Sequence, residues 1–130
     1  MQQNRYDKEP LTAVEAQRLA QEIAFGPIVF QVSRLMLKFG IFKLLADHRN
    51  GRTQEEISKA CGLSSYAAQV LLEASLTIGT VLLREGRYSL AKAGWFLLND
   101  KMVRVNMDFN QDVNYLGMFH LEEALSLIHI

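Results

Sequence analysis

TQEEISKACGLSSYAAQVLLEASLTIGTVLLREGRYSL, residues 53–90, decides the architecture of the chain. Thr53 and Glu56 have the spacing of a capping box, in which a hydroxyl and a carboxylate each answer a backbone N–H left open at a helix start. The helix they open carries Ile57, Ala60 and Cys61. Gly62 suits the left-handed residue that ends it, Leu63 fills the corner, and Ser64 or Ser65 caps the next helix. There Ala67, Val70, Leu71, Ala74 and Ile78 recur at i, i+3, i+4, i+7 and i+11, which predicts one buried stripe closed by Gly79. Ser65, Gln69 and Glu73 face outward, with Leu72 and Leu76 nearby. Two extended runs, 81–84 and 87–90, joined by Glu85 and Gly86, read as a hairpin. Short helix, glycine corner, longer helix and hairpin follow one another in the order of a winged helix-turn-helix, with Ile57, Leu63, Val70, Leu71 and Leu82 as its small core.

Upstream, Thr12 and Glu15 make another capping box, opening a helix that carries Val14, Leu19, Ile23 and Phe25 toward Gly26. Pro27 suits a first helical position, where its missing N–H removes no bond. Residues 28–39 are predicted helical and apolar on most faces, interrupted only by Gln31, Ser33, Arg34 and Lys38. A helix of that kind must be covered on nearly all sides. In so short a chain the expected cover is a second subunit, which makes Ile28, Phe30, Val32, Leu35, Met36 and Phe39 the expected dimer interface. Gly40 interrupts, residues 41–45 form a short apolar helix, and 48–52 a turn. Beyond the hairpin, 91–98 reads as helix, 99–110 as polar and irregular, and 112–125 as helix. The fold class is therefore mainly α: a winged helix-turn-helix with extra N-terminal dimerisation helices and a small β-hairpin wing. Residues 1–10 are expected to be a disordered leader, 11–98 the winged-helix domain, and 99–130 a connector and final helix.

The chain has 130 residues, the size of one domain, and is 49% hydrophobic and 22% charged, a globular composition. Its longest uncharged stretch, 60–72, falls short of the roughly 20 apolar residues of a membrane span. The first ten residues hold no apolar signal core, so a cytoplasmic location and no membrane partner are expected. Cys61 is the single cysteine and cannot close an intramolecular disulfide. The 14 basic and 14 acidic residues cancel. On the segment that would face DNA, residues 53–79, Lys59 stands against Glu55, Glu56 and Glu73. A specific DNA binder neutralises roughly 6–10 phosphates, so nucleic acid is not an expected partner. Arg84, Arg87 and Lys92 make the hairpin basic, and Gln69 has the donor and acceptor to read an adenine, which keeps a DNA-binding transcription regulator as the alternative function.

Five pieces carry a family likeness in order: Phe39-Gly40-Ile41-Phe42-Lys43-Leu44-Leu45, Thr53-Gln54-Glu55-Glu56-Ile57, Cys61-Gly62-Leu63-Ser64, Leu71-Leu72-Glu73-Ala74-Ser75, and Arg84-Glu85-Gly86-Arg87-Tyr88-Ser89-Leu90 with Ala93-Gly94. Together they resemble the N-terminal dimerisation domain of S-adenosylmethionine-dependent small-molecule O-methyltransferases. The likeness covers about residues 24–98 and more loosely extends to 125; Lys43 and Ala91 depart from the family pattern. It implies a winged-helix module that binds no DNA, forms a homodimer, and roofs the partner subunit's pocket for a small, largely apolar methyl acceptor. It implies S-adenosylmethionine for the intact protein and no cofactor in this chain, because the cofactor belongs to a Rossmann-like domain with a Gly-rich turn. No Gly-x-Gly-x-Gly occurs here; the chain is expected to be a fragment preceding that domain, with an apolar tail at 126–130, or otherwise a stand-alone relative.

The resemblance also implies Tyr115, Met118 and Phe119 as substrate-lining residues, with ordinary packing as the alternative. No catalytic residue is expected, and His120 beside Met118 and Phe119 is not taken as a base. His48, His120 and His129 have no metal-ligand spacing, and His48 is read as solvated. Cys61 reads as a small inert hydrophobe, Ser64 and Ser65 as caps rather than nucleophiles. Asp108, Asp112, Glu122 and Glu123 form an acidic edge without the spacing of a calcium loop. The stretch from 102 to 107 reads as a mobile lid or a simple connector.

Overall fold

A computed structural model describes residues 6–127; positions 1–5 of the expected leader and 128–130 of the expected tail, with His129, lie outside the described residues. Among the described residues, eight α-helices and one hairpin follow in the order α1 (Ala13–Ala24), α2 (Gly26–Lys38), α3 (Ile41–Asp47), α4 (Gln54–Cys61), α5 (Ser65–Ile78), β1 (Val81–Arg84), β2 (Arg87–Leu90), α6 (Lys92–Asn99), α7 (Lys101–Phe109) and α8 (Leu121–Leu127). A π-helical turn, Asn110–Asn114, and a 3₁₀ turn, Gly117–His120, bridge α7 and α8.

The helix starts obey their local chemistry. Thr12 Oγ1 accepts from the Glu15 N–H at 3.2 Å while Glu15 accepts from the Thr12 N–H at 2.9 Å. Thr53 and Glu56 repeat the pair at 3.2 and 2.8 Å. Each accepted backbone N–H, with the threonine hydroxyl helping, holds the glutamate carboxyl below its ordinary value, and at Glu56 the nearby Arg87 and Arg52 charges add to this. Ser64 caps α5 by accepting from the Ala67 N–H at 3.0 Å, whereas Ser65 takes a bond from Gln54 instead. Gly62, at φ 67°, turns the corner between α4 and α5, and the Ser58 hydroxyl locks it by donating to the Leu63 carbonyl at 2.6 Å.

In the hairpin Val81 pairs with Leu90 and Arg84 with Arg87. Glu85 and Gly86 both have positive φ, the two-residue turn whose twist matches its strands. Arg52 adds one further antiparallel pair by exchanging bonds of 2.9 and 2.7 Å with Tyr88. That approach needs Gly51: at φ 90° it is left-handed, and a Cβ there would sit 3.0 Å from the Tyr88 carbonyl oxygen.

Met36 of α2, Ile41, Phe42 and Leu45 of α3, Ile57 of α4, Leu72 of α5 and Val81 of β1 are almost wholly buried, with Ala68, Leu71 and Tyr88 beside them. Four readings of the sequence need correction. The buried stripe of α5 is Ala68, Leu71, Leu72 and Ser75, so Leu72 faces in and Val70 is 44% exposed. This helix is apolar on three sides, and periodicity alone picked the flank next to the true inward face. In the hairpin, Val81 turns toward the core and leaves Leu82, its alternate neighbour, exposed. Residues 99–110 are not irregular: Asp100 Oδ1 accepts from the Met102 and Val103 N–H groups at 2.9 and 3.2 Å and starts α7, whose Met107 is buried. Positions 102–107 therefore sit in a helix, and 112–125 is a π turn, a 3₁₀ turn and α8 rather than one regular helix.

Gly94 of α6 lies where a Cβ would meet the Thr80 carbonyl oxygen at 2.5 Å and Leu90 Cδ1 at 2.6 Å. Gly94→Ala is expected to destabilise the chain by about 1–3 kcal/mol in urea unfolding, since backbone cannot yield as a flexible side chain does. The lowered carboxyls of Glu15 and Glu56 predict a pH dependence. Their contribution is complete above the unfolded glutamate value of about 4.3 and fades as pH falls through the lower folded values. Glu56→Gln, which keeps the acceptor but cannot titrate, is expected to flatten the acid limb of a stability-against-pH curve.

Candidate functional site

Helix α1 is left almost uncovered by its own chain. None of its side chains is buried. Ala16, Leu19, Ala20 and Ile23 share one stripe at i, i+3, i+4 and i+7, yet Leu19 is exposed and Ile23 is 70% exposed. The polar Arg18, Gln21 and Glu22 instead line a groove of about 530 Å³ with Phe25, Ile28, Val29 and, from α5, Ala74, Thr77 and Ile78. Arg18 and Glu22 pair at 3.6 Å along its edge. Arg18, Gln21 and Glu22 are themselves exposed, so neither side of α1 is covered by its own chain, and the apolar stripe stands in water. A monomer rarely presents a contiguous apolar patch of this kind without a partner for it.

The six α2 residues expected at a dimer interface fall into three groups. Ile28 and Phe39 are exposed, Phe30, Val32 and Leu35 are half-buried, and Met36 is fully enclosed in the chain's own core. Met36 therefore has no surface to give a partner. Its side of the helix is already covered by α3 and α5, so the apolar coat of α2 is shared between an inner and an outer face.

Of the three residues that the family likeness marked for substrate, the structure docks only Tyr115. Its ring stacks on Phe30 with centroids 5.2 Å apart and planes at 24°, and its hydroxyl donates to the Pro27 carbonyl at 3.1 Å. Met118 and Phe119 are exposed, and Phe119 meets the His120 ring edge-on at 5.5 Å. The amide of Gln31 donates to Gln111 Oε1 at 2.8 Å and accepts from Arg34 Nε at 3.3 Å, so a polar clasp runs beside the aromatic one. Nothing local in the sequence signals that clasp, because its partners lie 80 positions apart.

The surface that would read DNA is already engaged with itself. The Gln69 amide donates to Glu73 at 3.0 Å. Arg87 donates to the Gly51 and Asn50 carbonyls at 3.0 and 3.4 Å and pairs with Glu56 at 3.7 Å. Arg84 and Lys92 remain, far fewer cations than a phosphate track requires. Elsewhere, His48 caps α3 through a 2.9 Å contact of Nδ1 with the Leu44 carbonyl and is half-buried rather than simply solvated. Burial pushes the Cys61 thiol up, away from the reactive thiolate. His120 lies 3.8 Å from Glu123 on an exposed turn. Among the described residues no group of three or more His, Cys, Asp or Glu side chains is placed to hold a metal, and no helix is long and apolar enough to cross a membrane.

The model of the Dimerisation2-like domain matches residues 17–88, from α1 to the wing. The chain belongs to the Dimerisation2-like domain family. This Dimerisation2-like domain is 29% identical over 106 residues to the L-tyrosine C(3)-methyltransferase of Streptomyces lavendulae, a match covering 79% of the chain and 29% of that protein. It superposes with a TM-score of 0.67 and 25% identity on the N,N-8-amino-8-demethyl-D-riboflavin dimethyltransferase RosA of Streptomyces davawensis, covering 89% of the chain and 34% of the other. The S-adenosylmethionine-dependent methyltransferase SibL shares the fold at TM-score 0.72 and 22% identity, covering 82% and 32%. The chain thus spans about three-tenths of the length of each of these relatives.

Removing the Tyr115 hydroxyl while keeping its stack, in Tyr115→Phe, is expected to lower stability by about 0.5–1.5 kcal/mol, the net worth of one hydrogen bond. Phe30→Ala is expected to lose more, and a double-mutant cycle in urea between the two positions should show coupling.

Proposed function

We propose that this chain is the dimerisation and substrate-roof module of an S-adenosylmethionine-dependent methyltransferase acting on a small molecule in the cytoplasm. The observation that carries the reading is the uncovered α1, none of whose side chains is buried and whose apolar Leu19 and Ile23 stand exposed to water. Membership of a dimerisation family and relatives that are methyltransferases support it. The module's contribution to chemistry is positional: two subunits held rigidly keep donor and acceptor in register and water out, where orientation lowers the barrier. Tyr115, Met118 and Phe119 are the residues proposed to face the methyl acceptor.

S-adenosylmethionine does not fit the residues present. A cofactor cradle of the Rossmann kind needs a strand feeding a Gly-rich turn and a helix. Gly79 instead ends α5 in a left-handed cap at φ 103°, and Gly86 turns an antiparallel hairpin at φ 75°. The cofactor is proposed to bind on residues beyond this module, and no catalytic step is assigned to its side chains. The DNA-binding reading is not favoured, because the wing's Arg87 and α5's Gln69 are committed within the chain.

Sedimentation equilibrium at micromolar concentration is expected to show a homodimer, and Ile23→Asp to weaken it at least tenfold, while Lys59→Glu on exposed α4 leaves it unchanged. Duplex DNA at low salt should not be retarded on a gel. A monomer with bare N-terminal helices overturns the proposal, as does steeply salt-dependent DNA binding.

A further inference from the structure

A second concavity, of about 540 Å³, opens where the end of α3, strand β2 and the start of α6 meet. Leu45, Ala46, Leu90 and Ala91 make its apolar wall, and Arg49, Lys92, Ser89 and Trp95 supply the rest. No carboxylate of the described residues lines it. Neither Arg49 nor Lys92 has an ion pair or side-chain hydrogen bond among the described residues, and the Ser89 hydroxyl has none either. Asp47, the acid nearest to Arg49 in the chain, is held by Lys43 at 2.9 Å. Trp95 is the single tryptophan; it is half-exposed, its ring edge-on to Phe96 at 5.2 Å and 86°. The frame around these groups is fixed. Leu45 belongs to the core, and His48 ties the turn before Arg49 to the Leu44 carbonyl. The Ala91 N–H donates to the Thr80 carbonyl at 3.0 Å, and the missing Cβ of Gly94 lets α6 press on Thr80 and Leu90.

We infer that this concavity binds a small aromatic carboxylate, its ring on the Trp95 indole and its charge held by Arg49 and Lys92. The volume lies within the range of small-molecule sites and suits one or two rings. Two like charges sharing a concavity with no acid beside them repel each other, and a bound anion relieves that repulsion. Walls of low polarity behind the charges focus their field on whatever enters. The arginine fork matches a carboxylate with two parallel N–H bonds, and the lysine and the Ser89 hydroxyl add donors beside it. A bare inorganic anion would leave the indole and the apolar wall unused, whereas an uncharged ring would leave both cations without a partner. An aromatic acid satisfies both halves of the lining, and offset stacking on an indole adds to simple burial. The inference uses neither the dimer nor methyl transfer, so it stands or falls apart from the function proposed above.

One tryptophan gives one indole N–H resonance, so a nitrogen-15-labelled sample reports on this site directly. Titrated with 2-naphthoate at low salt, that resonance is expected to shift saturably, with a dissociation constant of about a millimolar or below. Arg49→Gln and Lys92→Gln are each expected to weaken binding about fivefold or more, while Lys59→Gln on exposed α4 leaves it unchanged. Trp95→Leu, followed through the Ala46 and Ser89 amides, is expected to weaken it by a similar factor. Both 2-naphthamide, which keeps the rings without the charge, and inorganic phosphate, which keeps charge without rings, are expected to bind about tenfold more weakly or worse. The rest of the amide spectrum checks that each variant is folded. Arg49 and Lys92 are exposed, so their replacement leaves the core intact if Trp95→Leu disturbs it. A shift that never saturates, or one that both cation variants leave unchanged, overturns the inference. Phosphate binding as tightly as 2-naphthoate overturns the aromatic assignment, and 2-naphthamide doing so overturns the anionic one.

Discussion

Helix α2 carries apolar side chains around most of its circumference, and no single neighbour can take all of them from water. The fold answers on the inner side with α3 and α5, where Met36 packs among Ile41, Phe42 and Leu45. On the outer side it answers with the C-terminal path, through Tyr115 on Phe30 and Gln111 on Gln31. At its N-terminal end Ile28 is left in the open groove beside α1. The winged-helix core, the flank and the unpartnered face are three consequences of one over-apolar helix.

What could be read from the sequence is what short-range chemistry decides. Both capping boxes, the Gly62 corner and the two-residue turn of the wing depend on residues within a few positions, and all form where the sequence places them. The failures are those of side and distance. On α5 a serine, Ser75, occupies an inward position that hydrophobic counting assigns to none, while Val70 lies on a flank. In β1 the alternation of Val81 and Leu82 has two possible phases, and only packing against α5 selects one. Helix α7 hid behind asparagines and aspartates, of which Asp100 is the cap that starts it. That α2 is apolar on most faces is legible from composition; that Met36 belongs to the inside and that Tyr115 packs on α2 follows from tertiary contacts that no window of sequence contains.

The wing shows how a DNA-reading architecture can be diverted by small changes in where charge goes. Arg87, in place to meet a phosphate, is bound to two carbonyls and a glutamate of its own chain. The Arg52–Tyr88 bridge draws the loop before α4 against the hairpin, so the wing braces the head of that helix instead of reaching outward. A fold that elsewhere recognises a polyanion is here self-contained on that side, and its uncovered apolar surface lies elsewhere, on α1, the outer face of α2 and the C-terminal path. Fold alone does not carry function; the distribution of satisfied and unsatisfied groups does.

The clasp between α2 and the C-terminal path also sets an order of events as the chain is made. Gln31 meets Gln111 across 80 positions and Tyr115 meets Pro27 across 88, whereas the caps, corner and hairpin close over a handful. Long closures come late, because the entropy of bringing distant segments together must be met before their contacts form. On the ribosome the winged core can therefore assemble while the outer face of α2 is still waiting for residues not yet synthesised.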